Sequence, residues 1–204
     1  FVGKWPDLVN AVKAARVPTV ELCWASGMRV PRVMPDAEAE GTTAAAHLLE
    51  RGFSRFVFIG HSGQPGQLQG FTQTLRAAGF TTLVINVDDP HVQRETGEFS
   101  VEHDIVHDEC SALRRAWARR LFSKCDKPVG VYVLSTEWAS DIIEGCRHAR
   151  ILVPEQVAVV SKAEVSDDGA SWRMPLTVLV PDYEEQGYQS ARLLDRMMKG
   201  ERVP

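Results

Sequence analysis

Cysteine is scarce, long apolar runs are missing, and positive charge is not in excess. The four cysteines among 204 residues (Cys23, Cys110, Cys125 and Cys146) are widely spaced, with no C-x-x-C pair and no short-range cluster. That pattern excludes a disulfide framework and a zinc-finger-like site, and fits reduced thiols in a cytoplasmic protein. No apolar stretch approaches the roughly 18–20 residues that a membrane-spanning helix needs, so no membrane partner is expected. Lys and Arg total 23 against 27 Asp and Glu, a formal net charge of -4. A sequence without a basic field cannot neutralise a phosphate backbone, so these residues are not themselves a nucleic-acid-binding module. No signal-peptide pattern precedes the first helix. The chain opens at Phe1 and closes at Pro204, directly after a helix-ending Gly200, and is expected to be part of a longer protein.

What is present alternates. At 44% hydrophobic and 25% charged, the composition is that of a globular domain with a sizeable core. Continuous apolar runs suit buried strands: VPTVELCW (17–24), RFVFIG (55–60), TTLVINV (81–87), PVGVYVL (128–134), QVAVV (156–160) and LTVLV (176–180). Between them, helical spacing runs over 7–16, from Asp36 to about Arg51, to about Ala78, over 109–124, 136–149 and 182–199. Gly52 and Gly79 stand where two of these helices should stop. Residues 88–108 show no sustained period and read as a long acidic surface connection. Apolar strands alternating with amphipathic helices predict an α/β fold with a parallel sheet covered on both faces.

Several segments could carry chemistry. GHSGQPG (60–66) lies between a strand and a helix, where ligands gather in open parallel sheets. A nucleophile elbow would need glycine at Gln64, and a dinucleotide fingerprint would need it at Ser62. What remains is a permissive turn, or a loop that lends polar side chains to a pocket. His91, His103 and His107 with Asp104 and Asp108 suggest a metal, but the four-residue spacing has no assured helix beneath it, and an acidic solvated loop is preferred. No metal and no cofactor are expected. Asp36, Glu38 and Glu40 open a helix, where carboxylates cap free N–H groups and offset the macrodipole. Trp24, Trp138 and Trp172 sit beside strand ends or helix starts; each fills space, or offers a flat ring to the C–H face of a sugar.

Taken in order, the segments resemble the effector-binding module of the LacI/GalR group of transcription regulators, nearest its xylose-operon branch. MPDAEAEGTTAAAHLLERGFSRFVFIG resembles that group's D-N-x-x-x-G-x-x-A-x-x-H-L-x-x-x-G-x-R-x-x-x-I-G, with Asp36, Gly41, Ala45, His47, Leu48, Gly52, Arg55, Ile59 and Gly60 in register. QLQGFTQTLRAAGF, VLSTEWASDIIEGCRHARILVPEQVAVV and LTVLVPDYEEQGYQSARLLDRMMKGERVP follow at the right intervals. The resemblance implies a periplasmic-binding-protein-like fold of two parallel-sheet lobes with a cleft. Residues 1–52 and 178–204 would form one lobe, lacking its opening βα units, and 53–177 the other. It further implies a sugar ligand (a pentose such as xylose), DNA bound through a module not in this chain, a homodimer, and no enzymatic activity. The ligand contacts it implies are Asp36, Gln67, Glu137 and Glu164, with Trp24, His61 and Trp138 around them. Two departures stand out. Gln67 occupies the place of an arginine, and Ser161-Lys162-Ala163-Glu164 replaces G-F-D-D, so the usual aspartate falls on Ala163 or has shifted to Glu164. A solute-binding protein of a sugar transport system shares the fold and is the alternative reading. An enzyme is disfavoured because no nucleophile-base-acid set is complete.

Overall fold

The computed structural model describes residues 6–22, 28–63, 65–97, 106–163 and 176–203. The chain divides into two compact units, residues 36–180 and residues 1–35 with 181–204.

The larger unit is built on one five-stranded sheet. Its strands are β1 (Phe56–Gly60), β2 (Thr82–Asn86), β3 (Val129–Val133), β4 (Val157–Lys162) and β5 (Thr177–Leu179), in spatial order β2-β1-β3-β4-β5. Every pairing is parallel, with Phe56 opposite Thr82 and Gly130, and Val160 opposite Thr177. Parallel strands need long crossovers. Helices supply three of them: α3 (Pro65–Ala77) between β1 and β2, α4 (Pro90–Thr96) and α5 (Val106–Lys124) between β2 and β3, and α6 (Thr136–His148) between β3 and β4, while α2 (Ala37–Glu50) precedes β1.

Alternate residues of the central strands feed two cores. Phe56, Phe58, Tyr132, Ala158 and Val160 pack against Ala44, Ala45 and Leu48 of α2 and Phe71 and Leu75 of α3. Val57, Ile59, Val131, Val133 and Val159 face the other way, onto Trp117, Ala118 and Phe122 of α5 and Ile142 and Cys146 of α6. This is why β1 and β3 are apolar at every position: each residue has a core to fill. Burial of each large apolar side chain contributes about 1.5–3 kcal/mol, so these two layers dominate the stability. β2, at the sheet edge, is less covered, and Leu83 and Val84 are half exposed.

Helix ends follow the sequence signals. Asp36 caps α2 by accepting from the amides of Glu38 and Ala39, and Ser135 caps α6. Gly52 ends α2 at φ +80°, a conformation that costs other residues strain. α2 and α3 approach unusually closely. A Cβ on Gly41 would lie 2.1 Å from the Gln67 carbonyl, and one on Gly70 would lie 2.0 Å from the Glu38 carbonyl. That tight contact joins α2 to the larger unit, whereas the sequence places residues up to 52 in the first lobe.

The smaller unit contains α1 (Pro6–Ala15) and α7 (Tyr183–Met198). Residues 17–22 do not form the expected strand. A single parallel bridge joins Glu21 to Arg32, the Arg32 guanidinium reaches the Glu21 carboxylate at 2.6 Å, and Gln186 of α7 donates to the carbonyls of Leu22 and Val33. An apolar β-branched run needs a neighbouring ladder to become a strand, and among the described residues this one has a single rung. A second difference is α4, inside the segment read as loop. Asp89 accepts from the His91 amide, and Pro90 stands in the first turn, where its missing N–H costs nothing. Residue 103 lies outside the described residues. No helix among the described residues is long and apolar enough to cross a membrane.

Gly70→Ala is expected to lower stability by about 1–3 kcal/mol in urea unfolding, because the added methyl collides with backbone. Gly187→Ala in α7, where nothing lies within 4 Å of the new Cβ, should instead raise stability by up to about 1 kcal/mol.

Candidate functional site

The strand order reverses at β1. The chain leaves β1 through α3 to place β2 on one side, then returns to lay β3 on the other. The loops after β1 and β3 therefore lead to helices on opposite faces, the topological position beside which open parallel sheets take their ligands. His61 and Ser62 follow β1, Asp88 follows β2, and Ser135, Thr136 and Glu137 follow β3.

Asp88 organises the first of these loops. His61 Nδ1 lies 2.9 Å from its Oδ1, while the Ser62 amide and hydroxyl donate to Oδ2 at 2.8 and 2.6 Å. Partial burial works to raise the Asp88 pKa, but the hydrogen bonds from His61 and Ser62 outweigh it and hold the carboxyl at about 2, below its ordinary 3.8. His61 is thereby tied to the turn after β2.

Glu137 and Trp138 belong to a second assembly, between α5 and α6. Arg114 is 3% exposed; its Nε donates to Asp141 at 2.6 Å and its Nη2 to Glu137. Ser111 donates to Asp141, and Arg115 lies 3.6 Å from the same carboxylate. The Arg114 guanidinium stands over the Trp138 ring, 5.6 Å from its centroid, and Trp117 meets that ring edge-on at 5.8 Å. Trp138 is thus a core residue, with 6% exposure and both neighbours packed on it, the space-filling alternative of the two left open by the sequence. Glu137 is about one-third exposed and paired with Arg114.

The third assembly lies on the α2–α3 side and was only partly read from the sequence. Gln67, 5% exposed, donates to Glu40 Oε2 at 2.9 Å, and Lys162 Nζ approaches the same oxygen at 3.2 Å. Glu40 Oε1 is buried and has no hydrogen-bond partner among the described residues, and neither has the hydroxyl of Tyr132, a residue of zero exposure. Burial, and then the nearby Glu40 carboxylate, push the Tyr132 phenol above its ordinary pKa, so it stays a donor. Glu40 was read as a helix-start charge, and Lys162 as a departure from the resembled pattern. Spacing held the missing signal: Glu40 lies one turn before buried Ala44, and Lys162 two residues past buried Val160, which places both on a core-facing register.

Asp36 is exposed, with Oδ1 committed to the α2 cap. The structure joins Gln67 to Glu40, His61 to Asp88 and Glu137 to Arg114. Trp24 and Glu164 lie outside the described residues.

Replacing Arg114 by Met should cost about 3–5 kcal/mol in urea unfolding by stranding the buried Asp141 carboxylate, and the Arg114→Met, Asp141→Leu pair should recover much of that. For Asp88 the folded pKa lies below the unfolded one, so its stabilisation is complete above about pH 4 and lost as the pH falls through about 2. The melting-temperature gap between wild type and Asp88→Asn should close over that window.

Comparison with known proteins agrees with this architecture. The chain is similar to the xylose operon regulatory protein of Haemophilus influenzae, with 24% identity over 173 residues, 85% of this chain and 42% of that protein. Among solved structures, a xylose-binding transcription activator superposes with a TM-score of 0.72 at 20% identity, covering 98% of this chain and 51% of that one. A LacI family transcriptional regulator from Enterococcus faecium, solved with bound ribose, gives a TM-score of 0.69 at 20% identity, covering 97% of this chain and 69% of that one. The chain spans about half the length of the first two of these relatives. The periplasmic binding protein-like domain matches residues 45–204, and the chain belongs to that family.

Proposed function

We propose, on the basis of this family membership, that the chain is the effector-sensing part of a sugar-responsive transcription regulator. It takes a small neutral sugar, a pentose such as xylose, at the carboxyl edge of its five-stranded sheet. The observation that carries the reading is the order reversal at β1, the topological position beside which α/β sheets take ligands, together with the polar side chains at that edge. Sugar hydroxyls are held by charged and amide side chains that accept and donate in pairs. Asp36, Gln67 and Glu137 are of that kind, and His61 in the loop after β1, Glu164 and Trp24 complete the proposed set. Trp138 serves it indirectly, by packing the helix that carries Glu137.

No catalytic step is proposed. Ligand binds one conformation of the regulator better than another, and the difference in affinity shifts the population presented to DNA. DNA contact comes from a module outside this chain, in a cytoplasmic homodimer. The names of the relatives support this reading, as does the similarity to regulators that bind xylose or ribose.

The test is isothermal titration calorimetry of the chain against pentoses and hexoses, with melting temperature read in parallel, because a ligand that binds the folded state alone raises it. At least one pentose should bind. Asp36→Ser keeps a capping oxygen for α2 and removes the carboxylate; it should bind that pentose at least tenfold more weakly, with a melting temperature close to wild type. Unchanged affinity in Asp36→Ser would retire that contact, and absence of binding to every sugar would retire the function.

A further inference from the structure

Beyond these contacts, a further polar group lies on the α2–α3 side of the sheet. Four polar side chains from four elements converge there inside the larger unit: Glu40 from α2, Gln67 from α3, Tyr132 from β3 and Lys162 from β4. Two polar atoms in this group, Glu40 Oε1 and the Tyr132 hydroxyl, are buried without a partner among the described residues. Leaving a buried polar atom unsatisfied costs about 1–3 kcal/mol, so two of them in one group, near enough for the Glu40 charge to act on the Tyr132 phenol, call for something that pairs with both.

Their chemistry specifies the partner. Glu40 Oε1 only accepts a hydrogen bond, and the Tyr132 phenol, protonated throughout the physiological range, has a proton to donate. An alcohol hydroxyl satisfies both, donating to the first and accepting from the second. A carboxylate could not donate to Glu40, and an ammonium could not accept from Tyr132. The Glu40 and Lys162 charges cancel, so the group as a whole suits a neutral ligand. Access is graded. The Glu40 and Lys162 side chains are 11% and 22% exposed, while Tyr132 is fully buried. Lys162 is the last residue of β4, on the ligand edge of the sheet, and one ion pair at 3.2 Å holds its flexible side chain over Glu40.

We infer that Glu40 and Tyr132 form a hydroxyl-recognition subsite, with Gln67 fixing the Glu40 carboxylate and the Lys162 ammonium covering it until a neutral polyol displaces it. This rests on the sugar-sensing reading above and adds to it a specificity determinant: the effector must offer a hydroxyl that reaches below the sheet edge.

The experiment uses the whole chain with Tyr132→Phe, Glu40→Gln and Lys162→Met. Each is titrated calorimetrically with the pentose that wild type binds and with that sugar's monodeoxy analogues, and each is melted in parallel. Tyr132→Phe and Glu40→Gln should each weaken binding about tenfold while holding or raising the melting temperature, since each removes or changes an unsatisfied group. One monodeoxy analogue should bind wild type about tenfold more weakly than the parent sugar, and that difference should vanish in Tyr132→Phe. If the variants bind the sugar and all its analogues as wild type does, the subsite is overturned while the effector-domain reading stands. A lower melting temperature with unchanged affinity likewise overturns it, because the group then serves the fold alone. If Tyr132→Phe fails to fold, Glu40→Gln and the deoxy series decide by the same criteria. Should wild type bind no neutral sugar, the subsite and the sugar-sensing function fall together.

Discussion

The parallel sheet of the larger unit is covered on both faces, and most other features follow from that constraint. Apolar residues from β1, β3 and β4 point alternately into two cores, and helices seal each core. Polar side chains therefore gather at the strand ends and where helices pack together over the sheet. The carboxyl end beside β1 and β3 is where the crossovers diverge. His61, Asp88, Glu137 and Lys162 all lie along that end.

The polar groups near the edge are held by different means. Asp88 is partly solvated and stays ionised because three donors converge on it. Asp141 is buried, which lifts its pKa, while Ser111 and Arg114 pull the other way, so the contact between α5 and α6 depends on a guanidinium shared by two carboxylates. The Glu40 group differs again in being incompletely satisfied. Glycines make it possible: without Gly41 and Gly70, α2 could not lie close enough to α3 for Gln67 to reach Glu40. Close packing of backbone and an unsatisfied polar pair thus meet in one place, a combination expected of a site held ready for a ligand.

Much of the fold was legible because its signals are local. RFVFIG, PVGVYVL and QVAVV are apolar at consecutive positions, and only a strand buried on both faces requires that. Asp36, Ser135 and Gly52 mark helix ends by chemistry that acts within one turn. What the sequence missed or left open was non-local. VPTVELCW has strand composition but, within its described part, only the single bridge from Glu21 to Arg32. Trp138 follows a strand end as a pocket residue would, yet Trp117 and Arg114, more than twenty residues earlier, claim its ring. α4 was hidden by a polar sequence whose one helical cue was Asp89 followed by Pro90. Of the candidate site, Gln67 is legible through the resembled pattern; the spacing of Glu40 and Lys162 puts each on a core-facing register, but their pairing across three elements leaves no mark in any single segment.

The central claim is that a small neutral sugar is taken at the carboxyl edge of this sheet, on the side where β1 and β3 diverge. Amide hydrogen exchange, followed by mass spectrometry on the whole chain with and without a saturating pentose, tests it most directly. Protection is expected to rise in the segments around residues 36–41, 60–63 and 133–138, with the amino ends of the strands unchanged. Protection confined to other surfaces, or none at a concentration that saturates the calorimetric signal, would contradict it.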